Sequence, residues 1–406
     1  MGHQLAFLIE PERSQTHIMT NIYGIGRTGL ELVGNAKELA NQIEQRAIEV
    51  DTEAKFPVES IAELGANGFL GLCIPIEAGG KGQPPGVFAA VVEELAQACP
   101  STAMIYVMHV VAAQTFVASK TLADRDSLLQ EAAAGKHLTT LAFSERGSRS
   151  QFWAPVSQFR QNGSGGFVTS ASKSWVTSAN HADSYVSSAQ QPAAASPLES
   201  TLYLARRGAS GLRISDRFDG LGLRGNDSAP VEFTDLAVDA GELLTPQGEG
   251  ASMMLEVVLP WFCVGTAAMA HGLCLAALSA TQVHLTGAGF EHDGSKLRDL
   301  PNLRARIAKM SCRTEQSRAL LGFTTQSMLA PTEQTPLYVL QSRMAALEAA
   351  IDVTDLAMKA CGGAAFSRHL GIEQMFRDAR AGWVMAPTVD HLREFVGRSL
   401  TGLPPF

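Results

Sequence analysis

The side chains with most chemical potential are a few arginines, serines and histidines set in glycine-rich surroundings. Arg146 and Arg149 flank a short Ser- and Gly-rich stretch, Ser144 to Ser150. Two guanidiniums so close together suit an anion such as a phosphate or a carboxylate. For proton transfer the candidates are His109 and the adjacent Asp390 and His391, although a lone histidine more often serves as a hydrogen-bonded structural residue. Six cysteines, at 73, 99, 263, 274, 312 and 361, are spread without any metal-ligand spacing. That pattern predicts free thiols in a reducing, cytoplasmic setting and no metal site.

The elements that must position these residues fall into three textures. Residues 28–138 have apolar side chains at three- and four-residue spacing, which predicts helices. Residues 139–248 change to short β-prone runs separated by Gly, Asn, Asp, Ser and Pro, which predicts an antiparallel β domain, barrel or sandwich. From 249 to 406 helical periodicity returns and predicts a second helical region. Residues 1–27 are expected to be an N-terminal extension, and their mixed charges make a poor signal peptide. The chain has 406 residues, and its 40 acidic against 32 basic residues give a net charge of −8 without long like-charge blocks, so no nucleic-acid footprint is expected. Val257 to Ala280 carries no Asp, Glu, Lys or Arg and is long enough to span a bilayer. Pro260, His271 and many small residues favour a buried bundle helix instead.

Four local motifs then appear in order. Ser144-Glu145-Arg146-Gly147-Ser148 opens the β region, Trp175-Val176-Thr177-Ser178 follows, and Gly222-Leu223-Arg224 leads into Val231-Glu232-Phe233-Thr234-Asp235. Gly362-Gly363 then precedes Arg377-Asp378-Ala379-Arg380 and Met385-Ala386-Pro387-Thr388, with Arg393 beyond. From about residue 30 to the C-terminus this series resembles the acyl-CoA dehydrogenase superfamily. The resemblance implies an α+β fold with an N-terminal helical domain, a middle antiparallel β-barrel or sandwich domain and a C-terminal four-helix bundle. It also implies a homodimer or homotetramer, a flavoprotein oxidoreductase and an acyl thioester substrate on CoA or a carrier protein. A flavin ring needs hydrogen-bond donors and a flat wall. The resemblance assigns these to Phe143, Ser144, Ser150, Trp175, Thr177, Ser178 and Thr388, with Lys359, Gly362 and Gly363 near the dinucleotide half of FAD.

Three departures qualify that picture. Ala386 occupies the place of the family's glutamate base, and Phe262 occupies the alternative glutamate position on the long central helix. Arg146 replaces a proline and Arg149 a glycine. The dinucleotide-holding segment is replaced around Gly287 to Gly294, and Lys359 takes the place of a glutamine. His391, His109 and Asp390 are therefore the candidates for a relocated base. The weaker dinucleotide grip also admits FMN or a diffusible reduced flavin. A two-component monooxygenase acting on a small organic substrate, a non-redox thioester lyase and a catalytically silent relative are the competing readings.

Overall fold

In the computed structural model the described residues are 21–163 and 165–404, so most of the expected N-terminal extension lies outside them. Proline marks several helix starts, where its missing N–H costs nothing. The first half contains α1 (Arg27–Thr52), α2 (Val58–Ala66), α3 (Pro85–Ala98), α4 (Pro100–Ala118) and α5 (Arg125–Ala133). On α1, Val33, Ala36, Leu39, Ala40, Ile43, Ala47 and Val50 form the buried stripe. Helix α4 is apolar on all sides and is buried from Pro100 to Phe116, as expected of a helix enclosed by others.

Among the described residues the middle region has seven strands: β1 (Thr139–Ala142), β2 (Phe159–Gln161), β3 (Phe167–Val176), β4 (Ser184–Gln190), β5 (Ser200–Arg206), β6 (Leu212–Ile214) and β7 (Ala229–Val238). They make two sheets, β1-β4-β5 and β2-β3-β7-β6. The second is antiparallel throughout, whereas β1 pairs with β4 in parallel. An all-antiparallel domain was the expectation. The difference arises because the chain leaves β1, crosses into the other sheet for β2 and β3, and returns to β4. Phe159, Phe167, Tyr185, Tyr203, Val231 and Phe233 fill the space between the sheets.

Helices resume with α6 (Gly250–Met253), a π-helical turn at Met254–Val258, α7 (Leu259–Gly287), α8 (Pro301–Leu329), α9 (Thr335–Cys361), α10 (Ile372–Val384) and α11 (Val389–Leu400). Helix α7 is central and packs on α3, α8, α9 and α10. Glycine makes the closest of these approaches possible. A Cβ at Gly272 would fall 2.6 Å from both Ala96 Cβ and Glu93 O, and one at Gly265 would fall 2.9 Å from the Phe88 ring. Two helices, Pro100–Ala118 and Gly250–Gly287, are long and apolar enough to cross a membrane, and 89% and 61% of their apolar windows lie inside the protein. The uncharged stretch at 257–280 is thus the core helix of the bundle.

Candidate functional site

One large cleft, about 960 Å³, lies where the β domain meets both helical regions. Its β wall is built by a backbone device. Arg146 N donates to Ser172 O at 3.1 Å and Ser174 N to Ser144 O at 2.8 Å, which ties the 144–150 loop alongside β3. The β3–β7 register shifts between Lys173 and Val176. In that irregularity Trp175 takes φ +55°, so its ring leaves the sheet, stays 59% exposed and stacks on Phe218 at 3.9 Å. A bulge re-aims a side chain in this way. Phe143, Ser144, Ser150, Trp175 and Thr177 all line the cleft.

The opposite wall comes from Met104 and Met108 of α4, from Val258, Leu259 and Phe262, and from Ala381, Val384, Met385 and Ala386 at and just past the end of α10. The π turn at Met254–Val258 contributes Val258 and directly precedes Leu259; a π turn inside an otherwise α-helical run is a feature that concentrates at functional sites. Behind Ala386 lies Arg343, fully buried. Its Nη1 donates to Pro387 O at 2.6 Å, its Nη2 to Met385 O at 3.2 Å and its Nε to Thr266 Oγ1 at 3.0 Å. The guanidinium also lies 4.9 Å from the Phe262 ring centre. It has no carboxylate partner among the described residues, and burial lowers its pKa.

The only acid lining the cleft among the described residues is Glu145, and it is committed. Oε1 accepts from Lys173 Nζ at 2.5 Å and Ser157 Oγ at 2.6 Å, while Oε2 accepts from the N–H groups of Val156 and Ser157. Burial pushes this carboxyl up, but the lysine charge and the donated hydrogen bonds outweigh it and hold it below the usual range. A carboxylate so neutralised is a poor base.

The third wall, the 218–228 loop, is clamped to α10. A Cβ at Gly222 would meet Arg377 O at 2.6 Å, which leaves room only for glycine. Asp378 Oδ1 accepts from Leu223 N at 2.6 Å, and Arg377 grips Asp51 with both terminal nitrogens, at 2.9 and 2.6 Å. Burial raises the Asp378 pKa to about 7. An acid whose pKa is higher folded than unfolded binds more protons in the native state between about pH 4 and 7, so its contribution to stability falls as pH rises through that window. Asp378→Asn keeps the acceptor and removes the titration. Relative to the parent, the variant is expected to gain about 1–3 kcal/mol between pH 4 and pH 8. Urea midpoints of both proteins at the two pH values check this, and a pH-independent difference refutes it.

Several expected site residues lie elsewhere. His109 is fully buried. Its Nδ1 accepts from Thr139 N at 3.2 Å and its Nε2 bonds to Leu70 O at 3.1 Å, and burial lowers its pKa to about 4. With both ring nitrogens occupied it joins α4 to β1 as a neutral structural group. Asp390 is exposed and pairs with Arg393 at 3.2 Å. His391 is packed against Trp153 and Phe395, behind Phe152, which itself lines the cleft. Its Nδ1 is buried without a hydrogen-bond partner, but the ring does not reach the cleft. Ser178 is buried, and its N–H donates to Asn226 O, so Thr177 alone of that pair faces the cleft. Thr388 caps α11 by accepting from His391 N at 3.3 Å. Lys359 pairs with Asp355 at 2.5 Å, and Gly362 and Gly363 are exposed at the end of α9; none of the three lines the cleft.

Sequence reasoning passed over Arg343 and Lys173, and gave no role to Asp378 or to the methionines of α4. Signals existed for the first two. Lys173 shares the inward parity of Thr169 and Ala171 on β3, and Arg343 shares a helix face with Val339, Ala346, Leu347 and Ala350. A charge at such a position needs a buried partner or acceptor.

The comparisons agree with this architecture. Residues 32–136 match the sequence model of the acyl-CoA dehydrogenase N-terminal domain, 140–236 the middle domain and 248–401 the C-terminal domain. The chain belongs to the acyl-CoA dehydrogenase superfamily. It is 26% identical over 374 residues to cyclohex-1-ene-1-carbonyl-CoA dehydrogenase of Syntrophus aciditrophicus, covering 91% of this chain and 88% of that one. It is 25% identical to the mitochondrial short-chain specific acyl-CoA dehydrogenase of Bos taurus, over 82% and 80%. The butyryl-CoA dehydrogenase structure from Megasphaera elsdenii superposes with a TM-score of 0.88 at 20% identity, over 93% and 99% of the two chains.

Proposed function

We propose that the protein is a flavin-dependent oxidoreductase acting on an acyl thioester, without the usual carboxylate base. The observation that carries this reading is the convergence of Phe143, Ser144, Trp175 and Thr177 with Met385–Ala386 on one cleft. They come from three segments, 143–144, 175–177 and 385–386, that are distant from one another in the chain. The printed names of the relatives above, all acyl-CoA dehydrogenases, support the thioester.

The cleft fits a flavin by the chemistry of its lining. Ser144, Ser150 and Thr177 offer hydroxyl donors, while Phe143, Trp175 and Met108 offer flat or soft apolar contact, the combination an isoalloxazine ring requires. FAD is the cofactor favoured by the family. A bound flavin would supply two-electron redox chemistry. The protein's own residues would exclude water and orient the ring and the acyl chain. Exposed Phe323 and Phe366 on the C-terminal helical region support self-association, as a homodimer or a homotetramer.

A second reading, a monooxygenase using FMN or a diffusible reduced flavin on a small organic substrate, is supported by one feature. Ala386 and Phe262 both line the cleft, so both places expected to carry a base are apolar. The purified protein decides between the two. A yellow protein that releases FAD and is bleached by butyryl-CoA without oxygen supports dehydrogenation. A colourless protein that binds reduced FMN and consumes oxygen supports the alternative, and no affinity for flavin in either redox state defeats both.

A further inference from the structure

Two lysine or arginine side chains are buried among the described residues, Lys173 and Arg343. Lys173 lies against Glu145. The partly buried Arg318 and Arg377 also hold acids, Glu93 and Asp51. Arg343 alone of these four has no carboxylate partner among the described residues. Its surroundings are neutral. Thr266 Oγ1, Met385 O and Pro387 O accept its hydrogen bonds, and the guanidinium lies over the Phe262 ring. Burial pushes the neighbouring Cys263 thiol up to about 11, against the lowering effect of Arg343. That thiol therefore stays protonated at neutral pH and is no counter-ion. A guanidinium keeps its proton even here, and the carbonyl dipoles satisfy its donors without cancelling its charge.

The position of this charge decides what it can do. Met385, Ala386 and Phe262 line the cleft, and Arg343 stands one layer behind them. By holding Met385 O and Pro387 O it also fixes the backbone on either side of Ala386. One side chain thus sets both the place of the wall and the field behind it. A charge separated from a cleft by one apolar layer is poorly screened by water. The lining does not answer it, because Glu145, the one acid there among the described residues, is neutralised by Lys173.

We propose that Arg343 is a positioning residue of the cleft, which fixes the 385–387 wall and favours negative charge on the group that lies against Ala386. A fixed charge aimed at a site where negative charge develops stabilises it without reorganisation. The anion is either the reduced flavin or the enolate of the thioester. Its identity rests on the functional reading above, whereas the charge behind the wall does not.

In the full-length protein, a thiol introduced by Ala386→Cys reports the charge without flavin or substrate. Cys312, the exposed cysteine, is changed to serine throughout. Alkylation by iodoacetamide, mapped at position 386 by peptide mass, then follows that thiolate against pH. Adding Arg343→Met should raise the apparent pKa of the thiol by about one unit, a roughly tenfold loss of thiolate. Arg343→Lys keeps the charge and should raise it far less. Cys263→Asp supplies the missing carboxylate, leaves the guanidinium in place and should act as Arg343→Met does, even if the Arg343→Met protein does not fold. The proposal is overturned if the thiol titrates at the parent pH with Arg343→Met or with Cys263→Asp, or if Arg343→Lys moves it as far as Arg343→Met. With Ala386 intact, two further arms name the anion, using Arg343→Met or, in its place, Cys263→Asp. A midpoint potential of bound FAD lowered by about 30 mV, tenfold for a two-electron couple, names the flavin. A rise of about one unit in the pH at which bound acetoacetyl-CoA ionises to its enolate, read by its ultraviolet absorbance, names the thioester. No change in either arm, in a protein that binds both ligands, overturns the proposal. A parent with no affinity for flavin or acyl-CoA defeats the functional reading instead, and the thiol titration still decides the charge.

Discussion

Lys173→Met should destabilise the protein by about 3–5 kcal/mol, the range found when one partner of a buried ion pair is removed. Lys173 is fully buried, and its ammonium bridges Glu145 Oε1 and Ser188 O, at 2.5 and 2.8 Å. Methionine fills much the same volume, so packing changes little and the electrostatic term dominates. What remains is a carboxylate 7% exposed, still bonded to Ser157 and Val156 but without a counter-charge. Its desolvation is then uncompensated unless it takes up a proton. Adding Glu145→Gln to Lys173→Met should therefore recover a large part of the loss, a coupling that a double-mutant cycle measures directly. The damage should also reach the cleft, because Glu145 anchors the loop that presents Ser144 and Ser150. Urea unfolding and flavin affinity are the readouts. A single variant with an unchanged urea midpoint would show that the pair contributes nothing.

Ala386→Glu should raise exchange of the thioester α-protons with deuterium oxide by about 10²-fold or more, the usual contribution of a positioned base. Ala386 lines the cleft, and the one acid there among the described residues, Glu145, is neutralised, so none of these offers a competing carboxylate. Arg343, bonded to the carbonyls on either side of residue 386, places positive charge behind the new side chain and favours its ionised, proton-accepting form. Exchange of α-protons from butyryl-CoA, followed by NMR, isolates this step from electron transfer. Exchange no faster than in the parent would mean that the cleft no longer presents an α-carbon to this position. The redirected site would then involve more than one lost carboxylate.

The two substitutions separate what a chain states locally from what folding assembles. Periodicity alone marked the helical stretches and the β region, because burial of one face imposes a 3.6-residue or two-residue repeat on the residues themselves. Proline at the first turn of α3, α4 and α8 begins those helices for an equally local reason, although the sequence reading did not use it. The ordered motifs also located the β wall of the cleft, since Phe143, Ser144, Ser150, Trp175 and Thr177 come from only two short segments. Ala386 and Phe262 were legible as apolar residues where a base was expected, and both line the cleft.

What sequence could not rank was the set of candidate acids, bases and anchors. His109 and His391 look equally reactive on paper. In the fold, one spends both ring nitrogens on Leu70 and Thr139, and the other stands behind an aromatic layer. Lys359 and Asp390 found surface partners one helical turn away. The buried charges of Lys173 and Arg343 drew no attention because their partners are distant in the chain or are backbone carbonyls. By itself the sequence determined the family, the order of elements and the absence of a glutamate at 386. Only the tertiary structure decided which polar groups are already satisfied and which, like the Arg146 and Arg149 side chains, have no partner among the described residues. The reason is physical: reactivity depends on desolvation and on hydrogen bonds, and both are set by neighbours that only folding brings together.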